Sequence, residues 1–444
     1  MKDSTDTMNQ SRGVACGRDS MGLPFNDNLL ERILSSANLH AAFKRVAANQ
    51  GSAGVDGISI ADFREWAKGT WPEIRRALFD GTYVPSPIRR REIRKENGGT
   101  RKLGIPTVMD RVIQQAISQV LTGIFDPEFS ELSFGFRPKR SAHQAVLQLR
   151  ESVREGYRVA VDVDLEKFFD TVNHDLVMSR LSRKVNDLRV LKLIGRYLRA
   201  PVEVNGKLQP TREGVPQGGP LSPLLANIML DDFDKELEVR GHRFARYADD
   251  FIILVKSRLA GERVMRSVRN YLQRRLKLKV NEEKSQVVPT CRCSFLGFTF
   301  HGAKILWTQK AFDGFKKELR RLTRRTWGVS MQYRLMKLRQ YIQGWMGYYG
   351  LSENYSPIKG LDSWLRRRIR MCYLKMWGRP RTTIRRLLSL GCSIQSAVGL
   401  GRSSKSWIRK SKNPTINWAL GNRYLASQGL ISIKDQWVAF HYSK

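Results

Sequence analysis

Apolar residues recur at Leu29, Leu30, Ile33, Leu34, Leu39, Ala42, Phe43 and Val46. That three-to-four-residue spacing predicts an amphipathic helical stretch over 28–48, interrupted near 35–38. The glycines of 51–57 mark a turn segment. Downstream the period shortens. Runs at 159–163, 244–247, 251–255 and 295–300 are short and rich in Val, Ile and Phe, and predict strands. A mixed α/β region is therefore expected from about 58 to 300. From 301 the pattern turns helical and strand alternation is not expected. The stretch 390–444 carries Gly391, Gly399, Gly401 and Pro414 and reads as a small separate unit. Residues 1–25 are polar and read as a flexible N-terminus.

Composition narrows the function classes. The 444 residues are too many for one ordinary core. With 41% hydrophobic residues, packed interiors are expected rather than global disorder. The 78 Lys and Arg outnumber the 41 Asp and Glu, leaving a formal charge of +37. A chain this basic repels itself unless a polyanion neutralises it, so nucleic acid is the expected partner. No apolar run approaches the roughly 20 residues a spanning helix needs, so no membrane partner is expected. The first residues lack an apolar signal region, which reads as a cytoplasmic protein. Five scattered cysteines, including the lone pair Cys291 and Cys293, fit reduced thiols better than a disulfide framework or a zinc site. Across 301–400 there are 21 Lys or Arg against 4 Asp or Glu. Trp327, Trp345, Tyr348, Tyr349, Trp364, Tyr373 and Trp377 are interleaved with them. Basic helices with aromatics suit a nucleic-acid clamp; aromatic core under a solvated basic face is the other reading.

Chemistry concentrates in two acidic stretches. Asp249 and Asp250 lie between two β-prone runs, in Arg246-Tyr247-Ala248-Asp249-Asp250-Phe251, which reads as a hairpin with both carboxylates at its turn. Asp164 ends the strand 159–163 and leads into Glu166-Lys167-Phe168-Phe169-Asp170. Adjacent anions repel unless a divalent cation lies among them. Three carboxylates so placed suit two Mg²⁺ ions at an attacking 3′ hydroxyl and a leaving pyrophosphate.

These stretches resemble the palm of a reverse transcriptase, and further blocks follow in that family's order. Lys95 through Pro106 and Asp110-Arg111 resemble the fingers. Gly135-Phe136-Arg137-Pro138, Gly214 through Pro223, Asn281-Glu282-Glu283-Lys284 and Phe295-Leu296-Gly297-Phe298 complete the series over about 85–300. The version of these blocks is similar to that of bacterial group II intron reverse transcriptase–maturases. The segment 28–57 resembles that group's N-terminal extension. Tyr341-Ile342-Gln343-Gly344-Trp345 and Leu361 through Arg368 resemble its maturase domain, and 417–437 its DNA-binding segment. A terminal zinc endonuclease with paired cysteine motifs does not follow, which resembles the endonuclease-lacking, class C-like members.

The resemblance implies an α/β (α+β) right-hand polymerase fold: an N-terminal extension over 26–60, fingers and palm over 61–300, an α-helical thumb/maturase domain over 301–389 and a small C-terminal DNA-binding domain over 390–444. It implies RNA-directed DNA synthesis by Asp164, Asp249 and Asp250, with the Leu165 carbonyl as a further metal ligand and two Mg²⁺ ions, replaceable by Mn²⁺. Lys95, Arg101, Arg111, Phe169 and Gln217 are the implied nucleotide contacts. Phe169 serves as the ring that excludes a ribose 2′ hydroxyl, although core packing fits Phe168 equally well. Lys284 is an implied general acid, and Arg366, Arg367 and Arg368 are implied RNA and DNA contacts. The implied partners are the parent intron RNA, an RNA template–DNA primer duplex, a DNA target and dNTPs, in the bacterial cytoplasm or at the nucleoid. A splicing-only RNA-binding maturase and a domesticated enzyme of DNA repair or defence stay open as alternatives. Two patterns are decoys. Residues 399–406 resemble a phosphate loop but have Ser404 where glycine is needed. His174 stands without partner histidines and reads as a residue that orients the following helix.

Overall fold

The computed structural model describes residues 28–94 and 98–442. They form two compact units. The first comprises the described residues up to Ser141, with Val161–Ile253 and Glu262–Gln286; the second comprises Ala142–Ala160, Leu254–Gly261 and the described residues from Val287 onward.

In the first unit the expected helical stretch is two helices, α1 (Leu29–Ile33) and α2 (Ser36–Ala48). The break falls at Leu34 and Ser35. The Ser35 hydroxyl accepts from the Asn38 amide at 3.4 Å and so caps α2. Leu29, Leu30 and Ile33 are fully buried, and both helices pack on the helix Val108–Phe125, which Thr107 caps in the same way at 3.2 Å. Strand β1 (Ile88–Arg94) pairs antiparallel with β2 (Thr100–Ile105), Arg89 opposite Ile105 and Arg94 opposite Thr100. With β4 (Val202–Val204) and β5 (Lys207–Gln209) they make a sheet of order β2-β1-β4-β5. A second sheet of this unit is built on β6 (Arg243–Tyr247), the Asp250–Ile253 part of β7 (Asp250–Val255) and the Val161–Val163 end of β3 (Val159–Val163), in the order β6-β7-β3; β8 (Gln286–Pro289) belongs mostly to the second unit. Phe233 from the helix Ser222–Val239 packs on Phe251 of β7, ring centroids 5.1 Å apart.

In the second unit two expectations change. The run 295–300 is not one strand: Leu296 and Gly297 take positive φ, and β9 begins at Phe298 (Phe298–His301). It pairs with β10 (Lys304–Trp307), inside the stretch expected to be helical. The period there is two: Ile305 and Trp307 are buried while Lys304 is exposed. The helical part starts at Gln309. Residues 390–444 do not stand apart either. Leu400, Ile416, Leu420, Leu425, Ile433 and Trp437 belong to the same apolar core as Phe315, Leu338, Trp345 and Leu365. The Asp362 carboxylate accepts from the amides of Ile433 and Lys434 at 2.8 and 3.2 Å, capping the helix Ile433–Tyr442. The interleaved aromatics are core: Trp345, Tyr373 and Trp377 are buried, and Trp327, Tyr349 and Trp364 pack against the same cluster. Phe315 and Trp345 stack at 4.0 Å. Among the described residues no helix is long and apolar enough to cross a membrane.

Candidate active site

A cleft of about 860 Å³ in the first unit is lined by Asp164, Leu165, Phe169, Gln217, Asp249, Lys284 and Arg101, seven of the residues singled out in the sequence. Asp164 is fixed by its own backbone. Its carbonyl accepts from the Asn281 amide at 2.8 Å, and its amide donates to the Ser285 hydroxyl at 3.1 Å. The Glu166 amide donates to the Lys279 carbonyl at 2.8 Å. These bonds tie the end of β3 to 279–285 and bring Lys284 Nζ within 3.7 Å of the Asp164 carboxylate.

Asp249 sits in the turn between β6 and β7. Ala248 takes φ +60°, a conformation that needs support. Arg246 supplies it by donating to the Ala248 carbonyl at 2.9 Å and to Asn227 Oδ1 at 2.9 Å. The Asn227 amide nitrogen in turn donates to the Gly135 carbonyl at 2.9 Å. Gly135 is required at that position, because a Cβ there would sit 2.8 Å from the Tyr247 carbonyl carbon. Burial pushes the Asp249 carboxyl above its ordinary range and the Asp164 charge adds to the shift, while Arg101 and Arg246 oppose it. Two repelling carboxylates line one cleft, with Leu165 also among its lining residues, and hard oxygen donors of this kind are what a divalent ion such as Mg²⁺ prefers.

The three aspartates are not gathered as a triad. Asp250 begins β7, is exposed and does not line the cleft. Among the described residues no group of three His, Cys, Asp or Glu is close enough to hold a metal ion.

Around the carboxylates, the two phenylalanines separate. Phe168 is 2% exposed and belongs to the core, whereas Phe169 is half-buried and lines the cleft. Gly214 packs against the Phe169–Asp170 backbone, where a Cβ would meet the Asp170 carbonyl at 2.8 Å. The buried His174 ring bonds the Gly214 carbonyl at 2.7 Å, so it holds this loop as well as opening the helix His174–Ser182. Gln217 is placed by its carbonyl, which accepts from the Gly104 amide of β2 at 2.7 Å.

Arg111 does not reach the cleft. It is buried one turn into its helix and donates to the Ser52 carbonyl at 2.7 Å, tying down the 51–57 turn. Lys95 lies outside the described residues, as do 1–25 of the N-terminus. In the second unit Arg368 donates to the Thr323 hydroxyl at 2.6 Å and the Arg320 carbonyl at 3.1 Å, closing the end of the helix Gln309–Leu322. Arg366 and Arg367 line two separate surface clefts, with Lys359 and Lys434 and with Lys412 and Arg370 respectively. The phosphate-loop look-alike ends the helix Ile394–Gly401. Sequence reasoning missed Arg90, Lys102, Glu213 and Asn281, which also line the active-site cleft. It also missed the support from Asn227 and from Asp234, whose carboxylate accepts from Arg246 Nε at 2.7 Å. Lys102 and Asn281 fall within the matched sequence blocks; no local pattern marked the others.

The model of the family described as "Reverse transcriptase (RNA-dependent DNA polymerase)" matches residues 93–300. That described as "Group II intron, maturase-specific domain" matches 312–389. Protein YkfC of Escherichia coli (strain K12) is 34% identical over 272 residues, 53% of this chain and 71% of YkfC. The group II intron-encoded protein LtrA of Lactococcus lactis subsp. cremoris is 29% identical over 325 residues, 58% of this chain and 54% of LtrA, so the match spans about half of that relative. A chain of a solved partial Cas6-RT-Cas1–Cas2 complex is 27% identical, with a TM-score of 0.37, 55% of this chain and 42% of that chain covered.

Proposed function

This chain belongs to the group II intron reverse transcriptase–maturase family, whose polymerase is RNA-directed and uses divalent metal ions, and we propose that it extends DNA primers on RNA with Asp164 and Asp249 as the metal-holding pair. The observation that carries the site assignment is one cleft lined by Asp164, Asp249, Phe169, Gln217 and Arg101.

Two Mg²⁺ ions, or Mn²⁺ in their place, supply charge neutralisation for phosphoryl transfer when bound. Asp164 and Asp249 would hold them from the end of β3 and the β6–β7 turn, the Leu165 carbonyl would add a donor, and Asp250 would add negative charge at the same turn. Arg101, with Arg90 and Lys102 on the same hairpin, grips the triphosphate; Lys95 is proposed as a further nucleotide contact. Gln217 meets the nucleotide where glycines let the backbone approach. The Phe169 ring closes the space a ribose 2′ hydroxyl would occupy. Lys284, already beside Asp164, donates a proton to the leaving pyrophosphate. Arg111 acts indirectly, by fixing the 51–57 turn.

We further propose that the region 301–389 acts as thumb and maturase domain and binds its parent group II intron RNA to assist splicing, and that 390–444 contacts the DNA target. The excess of cations over 301–400 and the maturase-domain match support this. Arg366 and Arg367 contact phosphates, whereas Arg368 braces the helix that presents them. The work is done in the bacterial cytoplasm, at the nucleoid when DNA is the target. The test is filter binding of the purified chain to the intron transcript that neighbours its gene and to the reverse complement of equal length. Preference for the intron at moderate salt is expected; equal affinity for both would overturn the intron-specific part.

A further inference from the structure

Beside the catalytic turn, Phe136 is 60% exposed and holds φ at +57°, a left-handed backbone that a bulky residue rarely adopts. Both neighbours are fixed by contacts of their own. The Gly135 carbonyl is held by Asn227, and the Gly135 Cα lies so close to Tyr247 and Ala248 that no Cβ fits. Arg137 is buried and donates to the Asp126 carboxylate at 2.7 Å and to the Ser130 and Ser133 carbonyls at 2.5 and 2.9 Å. The preceding residues run along β6: the Phe134 amide donates to the Arg246 carbonyl at 2.8 Å, and the Arg246 amide to the Leu132 carbonyl at 2.9 Å. The conformation of Phe136 is thus imposed from both sides, and its ring stands 6.2 Å from that of Tyr247.

A strained backbone that holds a phenyl ring in water contributes little to the fold, and such strain persists where the surroundings over-determine it, characteristically at ligand contacts. The position identifies the ligand. For Asp249 to act, the primer's 3′ end must lie against the Tyr247–Asp249 turn. Phe136 abuts that turn and is not among the residues lining the nucleotide cleft. What lies next to it is therefore nucleic acid already paired, not the incoming nucleotide. An aromatic face accepts any base, which suits an enzyme that must hold every primer end alike. We propose that Phe136 packs its ring against the terminal nucleotide of the primer strand; this rests on the polymerase reading above.

The test uses the full chain, an RNA template and a DNA primer carrying 2-aminopurine at its 3′ end, with a second duplex carrying the probe opposite it in the template. Phe136→Gly relieves the backbone, because glycine takes φ +57° freely. Its melting temperature should equal or exceed that of the wild type, while the Kd for the primed template rises about tenfold, the loss of one ring-on-base contact. Wild-type protein should change the fluorescence of the primer probe, Phe136→Gly should not, and Phe136→Trp should restore the change. Phe136→Gly that melts lower would show that the ring is packing. Unchanged Kd and unchanged primer signal, or a ring-dependent signal only in the template probe, would also overturn the assignment. A wild-type protein that extends no primer would sink the polymerase reading instead.

Discussion

Arg246 and Asp234 form an ion pair with no solvent exposure on either side chain: Nε to Oδ1 spans 2.7 Å and Nη2 to Oδ2 2.5 Å. The remaining Arg246 nitrogen holds the Ala248 carbonyl, one residue before Asp249. The pair therefore links the helix Ser222–Val239 to the turn that carries Asp249 into the cleft. Burial raises the Asp234 carboxyl and the Arg246 guanidinium opposes that shift.

Breaking this pair from one side leaves a charge buried without its counter-charge. Asp234→Asn should destabilise the chain by about 3–5 kcal/mol, read by urea denaturation. Arg246→Lys keeps the charge but cannot bond Asp234, Asn227 and Ala248 together, so kcat should fall at least tenfold with little change in KM for dNTP. Unchanged kcat in a folded Arg246→Lys protein would mean that the turn is held by other contacts.

Phe169 should discriminate sugars and Phe168 should not. Phe169→Ala is expected to admit ribonucleotides while retaining DNA synthesis, measured as the ratio of kcat/KM for dNTP and rNTP. Phe168→Ala removes a buried ring and should instead cost about 3–5 kcal/mol of stability. An unchanged ratio in Phe169→Ala would reduce that ring to packing.

The two arginines of the fingers should part in the same way. Arg101 faces the cleft and opposes the raised Asp249 carboxyl, so Arg101→Ala should raise KM for dNTP about tenfold or more. Arg111 is bonded to Ser52, and Arg111→Ala should lower the melting temperature with KM within about twofold of wild type. The reverse pattern would return Arg111 to the nucleotide site.

The catalytic strands were legible because their signal is local. Apolar alternation ends at Asp164 and resumes after Asp249, and nothing distant is needed to see it. Direction was less legible than position. Asp249 and Asp250 are neighbours in sequence, yet only the structure shows which one enters the cleft. Phe168 and Phe169 are equally apolar, and only packing separates the core ring from the one that lines the cleft. Arg111 reads as a free cation until the turn at Ser52 is brought back over it. The hairpin at Lys304–Trp307 was hidden because four residues are too few to outweigh the helical pattern that follows. Glycines at 391, 399 and 401 suggested a boundary, but apolar residues from Leu400 to Trp437 join the core of the preceding helices. Asp234 lies mid-helix among other acidic residues, and no local pattern marks it as the partner of Arg246.

In the proposed division of labour, Asp249 and Asp164 carry synthesis and take no part in holding intron RNA. Asp249→Asn keeps the size and hydrogen bonding of the side chain and removes the charge that divalent ions need. The most direct measurement is a paired assay on one purified Asp249→Asn protein: primer extension on an RNA template, and binding of the intron transcript with its splicing. Extension should fall by roughly a thousandfold or more while RNA affinity and splicing stay near wild type, with Asp164→Asn behaving alike. Near-normal extension by Asp249→Asn would rule out Asp249 as a metal-holding residue.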